Sequence, residues 1–422
     1  DAEFHSLKLQ AGRFIPPGRR STNGLSEGRL AATNDYPMTP NPPGFEGHRV
    51  AVTEEMVRAC FPAMKRDSGP GHPWVGLAST KGGIIDRFSV LLVQAVMETL
   101  DLWGNTQVGA LPQDPVELCK MGAASPIRVF VKNEPHDKTK ISTGKVRLIA
   151  MVPIHMVIAE MLICSTQNLK EIAHWDQIPS KPGLGLAEDS QIRKIWDEVV
   201  PHLTQGVSEA DVSGFDFCLS EEMFIHDATR RVDLIEGGAS QSFTNAVYNM
   251  HHVLTRSVFS LSDGRMYAQE TPGIMKSGRY VTSATNSFIR VMLGRAIGAD
   301  WVIAMGDDSL ESTVDDAVQK YEQLGIRIKF YRNVETDFEF CSHTFIDGVA
   351  WPAKPGKMFF NLLNQKGDWK HCCEQFQQWF FEMRHHPDVD HWVGALERSG
   401  WATQNKGKNG EKQDQAKEKP QC

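Results

Sequence analysis

The chain has 422 residues, 41% of them apolar, with 45 Lys and Arg against 52 Asp and Glu for a formal net charge of −7. That is enough apolar residue for a core in one multi-lobed domain or two to three ordinary ones. The acidic balance argues against a simple nucleic-acid-coating protein but leaves room for a local basic channel. Eight cysteines without paired spacing read as a reduced intracellular protein. The chain opens Asp1-Ala2-Glu3-Phe4-His5, with no initiator methionine and no signal-peptide pattern, so a fragment or a product cut from a precursor is expected. The most apolar stretch, 146–164, contains Arg147, Pro153, His155 and Glu160, so no bilayer-spanning segment is expected and the protein reads as soluble.

Residues 1–50 are rich in Gly, Pro and Arg, as in Pro16-Pro17-Gly18-Arg19-Arg20 and Asn41-Pro42-Pro43-Gly44, and read as extended chain. Phe14, Ile15 and Phe45 suggest that it packs along something. A short helix is expected over 53–64, capped by Thr53, and a longer one over 86–103, where apolar residues fall at helical spacing. Residues 125–149 are the most basic part, with Arg128, Lys132, Lys138, Lys140, Lys145 and Arg147. Within them 127–131 and 146–150 alternate like strands around a polar loop with Glu134-Pro135. Such a hairpin brings Lys132 and Arg147 onto one surface, either as a clamp for phosphates or as a solvated basic face.

Helices are expected over 153–170 and 188–200, the second stopping at Pro201. Residues 206–211 read as a buried strand ending in Asp211, and Asp216 follows across a tight turn. Ser220 caps the next helix. Residues 241–259 read as helical, followed by a hairpin turn at Ser262-Asp263-Gly264-Arg265. The glycine turn Lys276-Ser277-Gly278-Arg279 feeds a helix over about 280–297, on which Thr282 and Asn286 share a face. By default such a polar pair serves helix-to-strand packing. Residues 301–311, Trp-Val-Ile-Ala-Met-Gly-Asp-Asp-Ser-Leu-Glu, read as a β-hairpin with Asp307 and Asp308 at its tip. Asp315 caps a helix to Leu324. Strands follow over 326–331 and 338–345, then amphipathic helices over 369–384 and 389–398. Residues 404–422 hold no core formers and read as a disordered tail.

Bare carboxylates at the end of apolar strands need a cation. Phosphoryl transfer by two Mg²⁺ ions about 4 Å apart requires only a few carboxylates from separate strands, and Asp211, Asp307 and Asp308 meet that need if their strands are neighbours. The ions would activate a 3′-hydroxyl and neutralise the triphosphate. Each motif alone is common, and Gly-Asp-Asp by default is a turn. Their order carries the signal: a basic hairpin, an acid-ended strand, a Ser-Gly-x3-Thr-x3-Asn helix start, the Gly-Asp-Asp hairpin, and a Phe-Cys-Ser segment.

In this order and spacing the chain resembles the RNA-dependent RNA polymerases of positive-strand RNA viruses. The segments 277–290, 304–311 and 339–343 look most like the sobemovirus, polerovirus and barnavirus branch. The resemblance covers roughly 128–345. It implies an α+β right-hand polymerase with a palm sheet carrying the catalytic aspartates. Fingers and fingertips would lie in 1–160 and 236–276, palm in 161–235 and 277–352, and thumb in 353–403. It implies RNA-directed RNA synthesis for replication and transcription of a viral genome, with two Mg²⁺ (Mn²⁺ substituting). The implied partners are template and nascent RNA, nucleoside triphosphates and a genome-linked viral protein. The implied setting is replication complexes in the host cytoplasm.

By the same resemblance Asp211 binds both metals, Asp307 is the second ligand and Asp308 a weaker third. Asp216 senses the ribose 2′-hydroxyl, and Thr282 and Asn286 orient Asp216 and the ribose. Ser277 and Gly278 form a loop that adjusts during translocation. Lys132, Lys145 and Arg147 hold the triphosphate, Lys329 is the general acid for pyrophosphate, and Cys341-Ser342 is the primer-grip turn. Two other readings stand beside it: a metal-dependent glycosyltransferase, and a non-catalytic RNA-binding replication scaffold. His371, Cys372 and Cys373, with His385, His386 and His391, are candidate zinc ligands without Cys-x2-Cys spacing, and Cys372 and Cys373 fit equally well on the apolar face of a helix.

Overall fold

The computed structural model describes residues 2–136, 138–364 and 368–402, and the expected 404–422 tail lies outside them. The chain divides into two compact units. One holds the described residues up to Gly183 with Ala210–Arg332, and the other holds Leu184–Glu209 with the described residues from Asn333.

The strands in chain order are β1 (Ile127–Val131), β2 (Leu148–Met151), β3 (Val207–Val212), β4 (Val258–Ser260), β5 (Met266–Ala268), β6 (Val302–Met305), β7 (Asp308–Ser312), β8 (Ile328–Val334), β9 (Phe338–Phe340), β10 (His343–Ile346) and β11 (Val349–Pro352). They form sheets in the orders β2-β1-β4-β5, β6-β7-β3-β8 and β11-β10-β9. In the first sheet β1 and β2 are antiparallel, with Arg128 opposite Met151 and Val131 opposite Leu148. This is the expected basic hairpin. Strand β4 runs parallel to β1. The long helices Lys81–Asn105, Ile154–Ala173 and Gln241–Thr255 share one core with this sheet, built on residues such as Leu92, Trp103, Ile158 and Phe243. The second sheet shares another core with the helices Leu25–Thr33, Glu221–Asp233 and Thr282–Ala296, centred on Phe224, Phe288, Val302 and Ala304.

Several expectations are corrected. The first 50 residues are not all extended: Ala2–Ala11 and Leu25–Thr33 are helices. The first is held by tertiary contacts rather than by an apolar stripe. Ser6 Oγ donates to Val146 O at 2.7 Å, and Phe4 stacks on Tyr267. The helix after Glu188 does not stop at Pro201 but runs to Leu203. The helix expected over 241–259 ends at Thr255, because Val258 and Phe259 join the sheet beside β1. Asp316, not Asp315, precedes the helix Ala317–Gln323. Ser220 stands at its cap position without a side-chain bond, whereas Thr53 caps Glu54–Ala59 as expected.

In the second unit Phe338 lies between Trp196 and Phe345, stacked on both rings. Cys341 and Ser342, with φ of 51° and 59°, form the turn of the β9–β10 hairpin. Cys372 is buried with Leu362, Trp379, Met383 and Leu396. His385 Nε2 meets Asp189 at 2.8 Å, and His386 Nδ1 accepts from Asp388 N–H. Among the described residues no group of three His, Cys, Asp or Glu side chains is gathered as a metal cage, so the zinc reading finds no support at His371, Cys372 and Cys373.

Candidate active site

Strands β6 and β7 pair with Met305 opposite Asp308, leaving Gly306 and Asp307 as a two-residue turn. Val302, Ile303, Ala304 and Leu310 are buried, so the apolar strands anchor the hairpin and leave its acidic tip at the surface. Gly306 N–H donates to Ser287 Oγ at 2.8 Å. Deeper in β7, the buried Glu311 accepts from Tyr321 Oη at 2.7 Å and pairs with Arg290 at 3.3 Å. One face of Thr282–Ala296 therefore carries Thr282, Asn286 and Arg290 in a row four residues apart, tying three segments of the site to one helix.

Asp211 lies on β3, next to β7 in the sheet. Ser213 N–H donates to Arg327 O, and two residues away on each strand Lys329 Nζ meets Asp211 Oδ2 at 2.6 Å. These two contacts run in opposite directions along the strands, so β3 and β8 are antiparallel and Lys329 is the cross-strand neighbour of Asp211. The Asp307 carboxyl is raised above its ordinary value, first by burial and further by the charge of Asp211, while Arg147 and Arg290 pull it down. A carboxylate whose charge opposes the ionisation of its neighbour forms with it a donor set suited to a divalent cation. As the side chains stand, Asp211, Asp307 and Asp308 do not form a closed cage.

Asp216 sits in the single turn Phe215–Phe217 after β3. Asn286 Nδ2 donates to its Oδ1 at 2.8 Å. Burial, and then Asp307, raise Asp216 to about 6 against the lowering effect of the Asn286 bond. Asn286 Oδ1 is buried and has no hydrogen-bond partner among the described residues. Thr282 does not join this contact. Its hydroxyl donates to Lys276 O and Arg279 O and so braces the glycine turn. That turn lies against β2: Gly278 N–H donates to Ala150 O at 3.0 Å, and a Cβ at Gly278 would stand 2.5 Å from the same oxygen, so only glycine fits. Ser277 is exposed, and its Oγ accepts from Ala150 N–H at 3.4 Å. The far end of the turn is held by the buried Glu160, which accepts from Arg279 Nε at 2.6 Å and Tyr280 N–H at 2.8 Å.

The basic hairpin contains a feature that sequence reasoning missed. Lys132 and Arg147 are adjacent, as expected, but each ion-pairs with Glu134 at 2.9 Å. In the sequence Glu134 stands only as part of a polar loop. Removing this shared acceptor frees two long side chains, whose ordering costs about 0.5–1.5 kcal/mol each on binding. Glu134→Ala is therefore expected to raise the apparent KM for a ribonucleoside triphosphate about fivefold or more with a smaller change in kcat; an unchanged KM would remove Glu134 from the account.

Lys145 lines a cavity of about 620 Å³ together with His5, Lys8, Arg13, Ser213 and Arg327. Ser213 is two residues from Asp211, so this basic basin lies beside the acids. Lys8 and Arg13 went unrecognised because their segment was read as extended, and Arg327 because its place depends on the β3–β8 register.

A profile of the family described as viral RNA-directed RNA-polymerase matches residues 68–210 and 244–355. The chain is 37% identical over 406 residues to the replicase polyprotein P2AB of Southern bean mosaic virus (isolate Bean/United States/Arkansas), covering 93% of this chain and 41% of that protein. It is 32% identical over 388 residues to Protein P1-P2 of Turnip yellows virus (isolate FL-1), covering 86% of this chain and 36% of that one. The chain thus spans about two fifths of the length of these relatives. Its fold matches the solved Sicinivirus 3Dpol RNA dependent RNA polymerase with a TM-score of 0.69 at 14% identity, over 96% of this chain and 85% of that one. The α+β right-hand polymerase class expected from the motifs is therefore the observed fold.

Proposed function

Because the chain belongs to the viral RNA-directed RNA polymerase family, we propose that it extends an RNA 3′-end on an RNA template with ribonucleoside triphosphates, releasing pyrophosphate. The observation that carries this reading is the Asn286–Asp216 bond, with the charge of Asp307 acting on Asp216 and that of Asp211 on Asp307. Asp216 offers an acceptor for a ribose 2′-hydroxyl, and the unpartnered Asn286 Oδ1 offers a second acceptor beside it.

Asp211 and Asp307, with Asp308, are the residues that would hold divalent ions, two Mg²⁺ in this proposal with Mn²⁺ as substitute. When bound, the ions supply charge neutralisation at the triphosphate and activation of the attacking hydroxyl. The chain's own groups do the rest. Lys132 and Arg147 on their Glu134 brace, with Lys145 over the basic basin, hold the phosphates by charge. The glycine turn at Ser277 and Gly278, clamped by Thr282 and Glu160, sets the floor beneath the base pair. If a genome-linked viral protein serves as primer, its hydroxyl takes the place of the RNA 3′-end in the same site. In this reading the β6-β7-β3-β8 sheet is the palm and the β2-β1-β4-β5 sheet belongs to the fingers.

The direct test is primer extension on an RNA template. Synthesis is expected with Mg²⁺ or Mn²⁺, none after chelation, and recovery when the ion is returned; extension that survives chelation would contradict the metal assignment. A sugar-nucleotide transferase would need neither the Asn286–Asp216 bond nor the basic hairpin, and would turn over sugar nucleotides instead. Ribose selection makes a sharper test. Asp216→Ala is expected to keep the fold and lower the preference for ribo- over deoxyribonucleotides by about tenfold or more, because a ribonucleotide then gains no bond to its 2′-hydroxyl and a deoxyribonucleotide no longer leaves a buried acceptor unpaired. Equal preference in parent and mutant would rule out this role.

A further inference from the structure

The ammonium of Lys329 lies 2.6 Å from Asp211 Oδ2, with the lysine side chain 62% exposed and the aspartate 25%. The β3–β8 register places it there: Ser213 bonds Arg327, and the pair two residues along each strand is Asp211 and Lys329. Packing does not require this contact, because most of the lysine side chain is exposed and, among the described residues, its ammonium otherwise lies only near the Phe330 ring, 5.6 Å from its centre. It is also unlike the ion pair that Glu311 of β7 makes with Arg290, where both groups are fully buried. An exposed lysine pair exchanges readily, since the head group is a hydrated point charge on a flexible stem.

The carboxylate it occupies is the one whose charge reaches Asp307. The Lys329 ammonium thus rests on one of two carboxylates of neighbouring strands, with its side chain open to solvent. That is the electrostatic arrangement a divalent ion would replace.

On the reading of the site as a polymerase centre, we propose that Lys329 is a resident counter-ion. It holds Asp211 Oδ2 while no nucleotide is bound, and it would have to give up that carboxylate for a divalent ion to be held there. Two consequences follow from charge alone. Resting affinity for a divalent ion is weakened, because the ion competes with a tethered ammonium. An incoming triphosphate, which brings negative charge, gives the released ammonium a new partner and so strengthens ion binding. This role differs from proton donation to pyrophosphate, which predicts slower chemistry but no change in resting affinity.

The experiment is a Mn²⁺ titration of the full chain without RNA or nucleotide, read by the electron paramagnetic resonance of free Mn²⁺. It is run for the parent, Lys329→Met, Lys329→Arg and Asp307→Asn. Lys329→Met is expected to bind Mn²⁺ about two- to fivefold more tightly, the range of an exposed ion pair, and Lys329→Arg to remain near the parent. Adding a non-hydrolysable triphosphate should tighten Mn²⁺ binding more in the parent than in Lys329→Met. Equal or weaker binding by Lys329→Met would overturn the proposal and make Lys329 a prop for Asp211. Mn²⁺ binding that Asp307→Asn leaves intact would instead overturn the polymerase reading of the site, since the ion would then lie elsewhere.

Discussion

Asp307→Ala is expected to lower ribonucleotide incorporation by about a thousandfold or more, and Asp308→Ala by only about tenfold. A ligand that holds a charge-neutralising metal ion in the transition state is worth several kcal/mol, and each 1.36 kcal/mol is a factor of ten in rate. The two aspartates are neighbours in sequence but not in role. Asp307 is in the turn, outside the ladder, and the charge of Asp211 reaches its carboxyl. Asp308 is the first residue of β7, opposite Met305, with its backbone fixed in the hairpin. The hairpin rests on buried side chains from Val302 to Ala304 and on Glu311, so either substitution at its exposed tip should leave the fold intact. Single-turnover incorporation at saturating nucleotide, with the melting temperature measured in parallel, checks this. Equal losses at the two positions, or a loss at Asp307 matched by a fall in stability, would contradict it.

The largest expected effect on stability is at Asp227, away from the chemistry. Asp227 accepts from Arg230 at 2.9 Å, Arg231 at 3.1 Å and Thr285 at 2.8 Å, and every one of these side chains is fully buried. Glu171 completes the set by accepting from Arg230 at 2.6 Å. Burial alone would push the Asp227 carboxyl up, but Arg231 and Arg230 hold it well below the usual carboxylate range. The network joins Glu221–Asp233, Ile154–Ala173 and Thr282–Ala296, and through the last of these it reaches Asn286. Asp227→Ala leaves two buried guanidinium groups with one carboxylate between them. The expected cost is about 3–5 kcal/mol, the range for breaking a buried ion pair by removing one partner. Urea unfolding should show a much lower midpoint, or the protein should fail to accumulate in soluble form. A shift below about 1 kcal/mol would mean that water or a rearranged Glu171 takes over the role. The stabilisation also has a pH sign: it is present above the ordinary carboxylate pKa and is lost as acid protonates Asp227.

The acids of the site were legible because local sequence alone determines them. A short strand that ends near Asp211, or an apolar one that turns at Gly306-Asp307, has an acidic end wherever it sits. Asn286 was legible because helical spacing sets it one turn from Thr282. The structure then separated the two, giving Asn286 to Asp216 and Thr282 to the glycine turn. What could not be read depends on register and on distant segments. Lys329 faces Asp211 only because β8 lies antiparallel to β3. Glu134 looked like a loop residue until two strands closed around it. Lys8 lies on, and Arg13 just after, a helix that its own sequence barely supports and that contacts with Val146 and Tyr267 hold in place. The same limit explains the helix overextended to Phe259: an apolar Val258-Phe259 pair fits a helix face or a sheet, and the neighbouring β1 decides.

The central claim is that Asp211, Asp216, Asn286 and Asp307 together form a centre for template-directed ribonucleotide addition. It is tested most directly by offering the purified chain four RNA primer–templates that differ only in the first templating base. Each is given one labelled ribonucleoside triphosphate at a time with Mg²⁺, with Asp307→Ala in parallel. The account predicts incorporation by the parent of the complementary nucleotide on each template and essentially none by the variant. Incorporation that ignores the template base, or that Asp307→Ala carries out equally well, would contradict it.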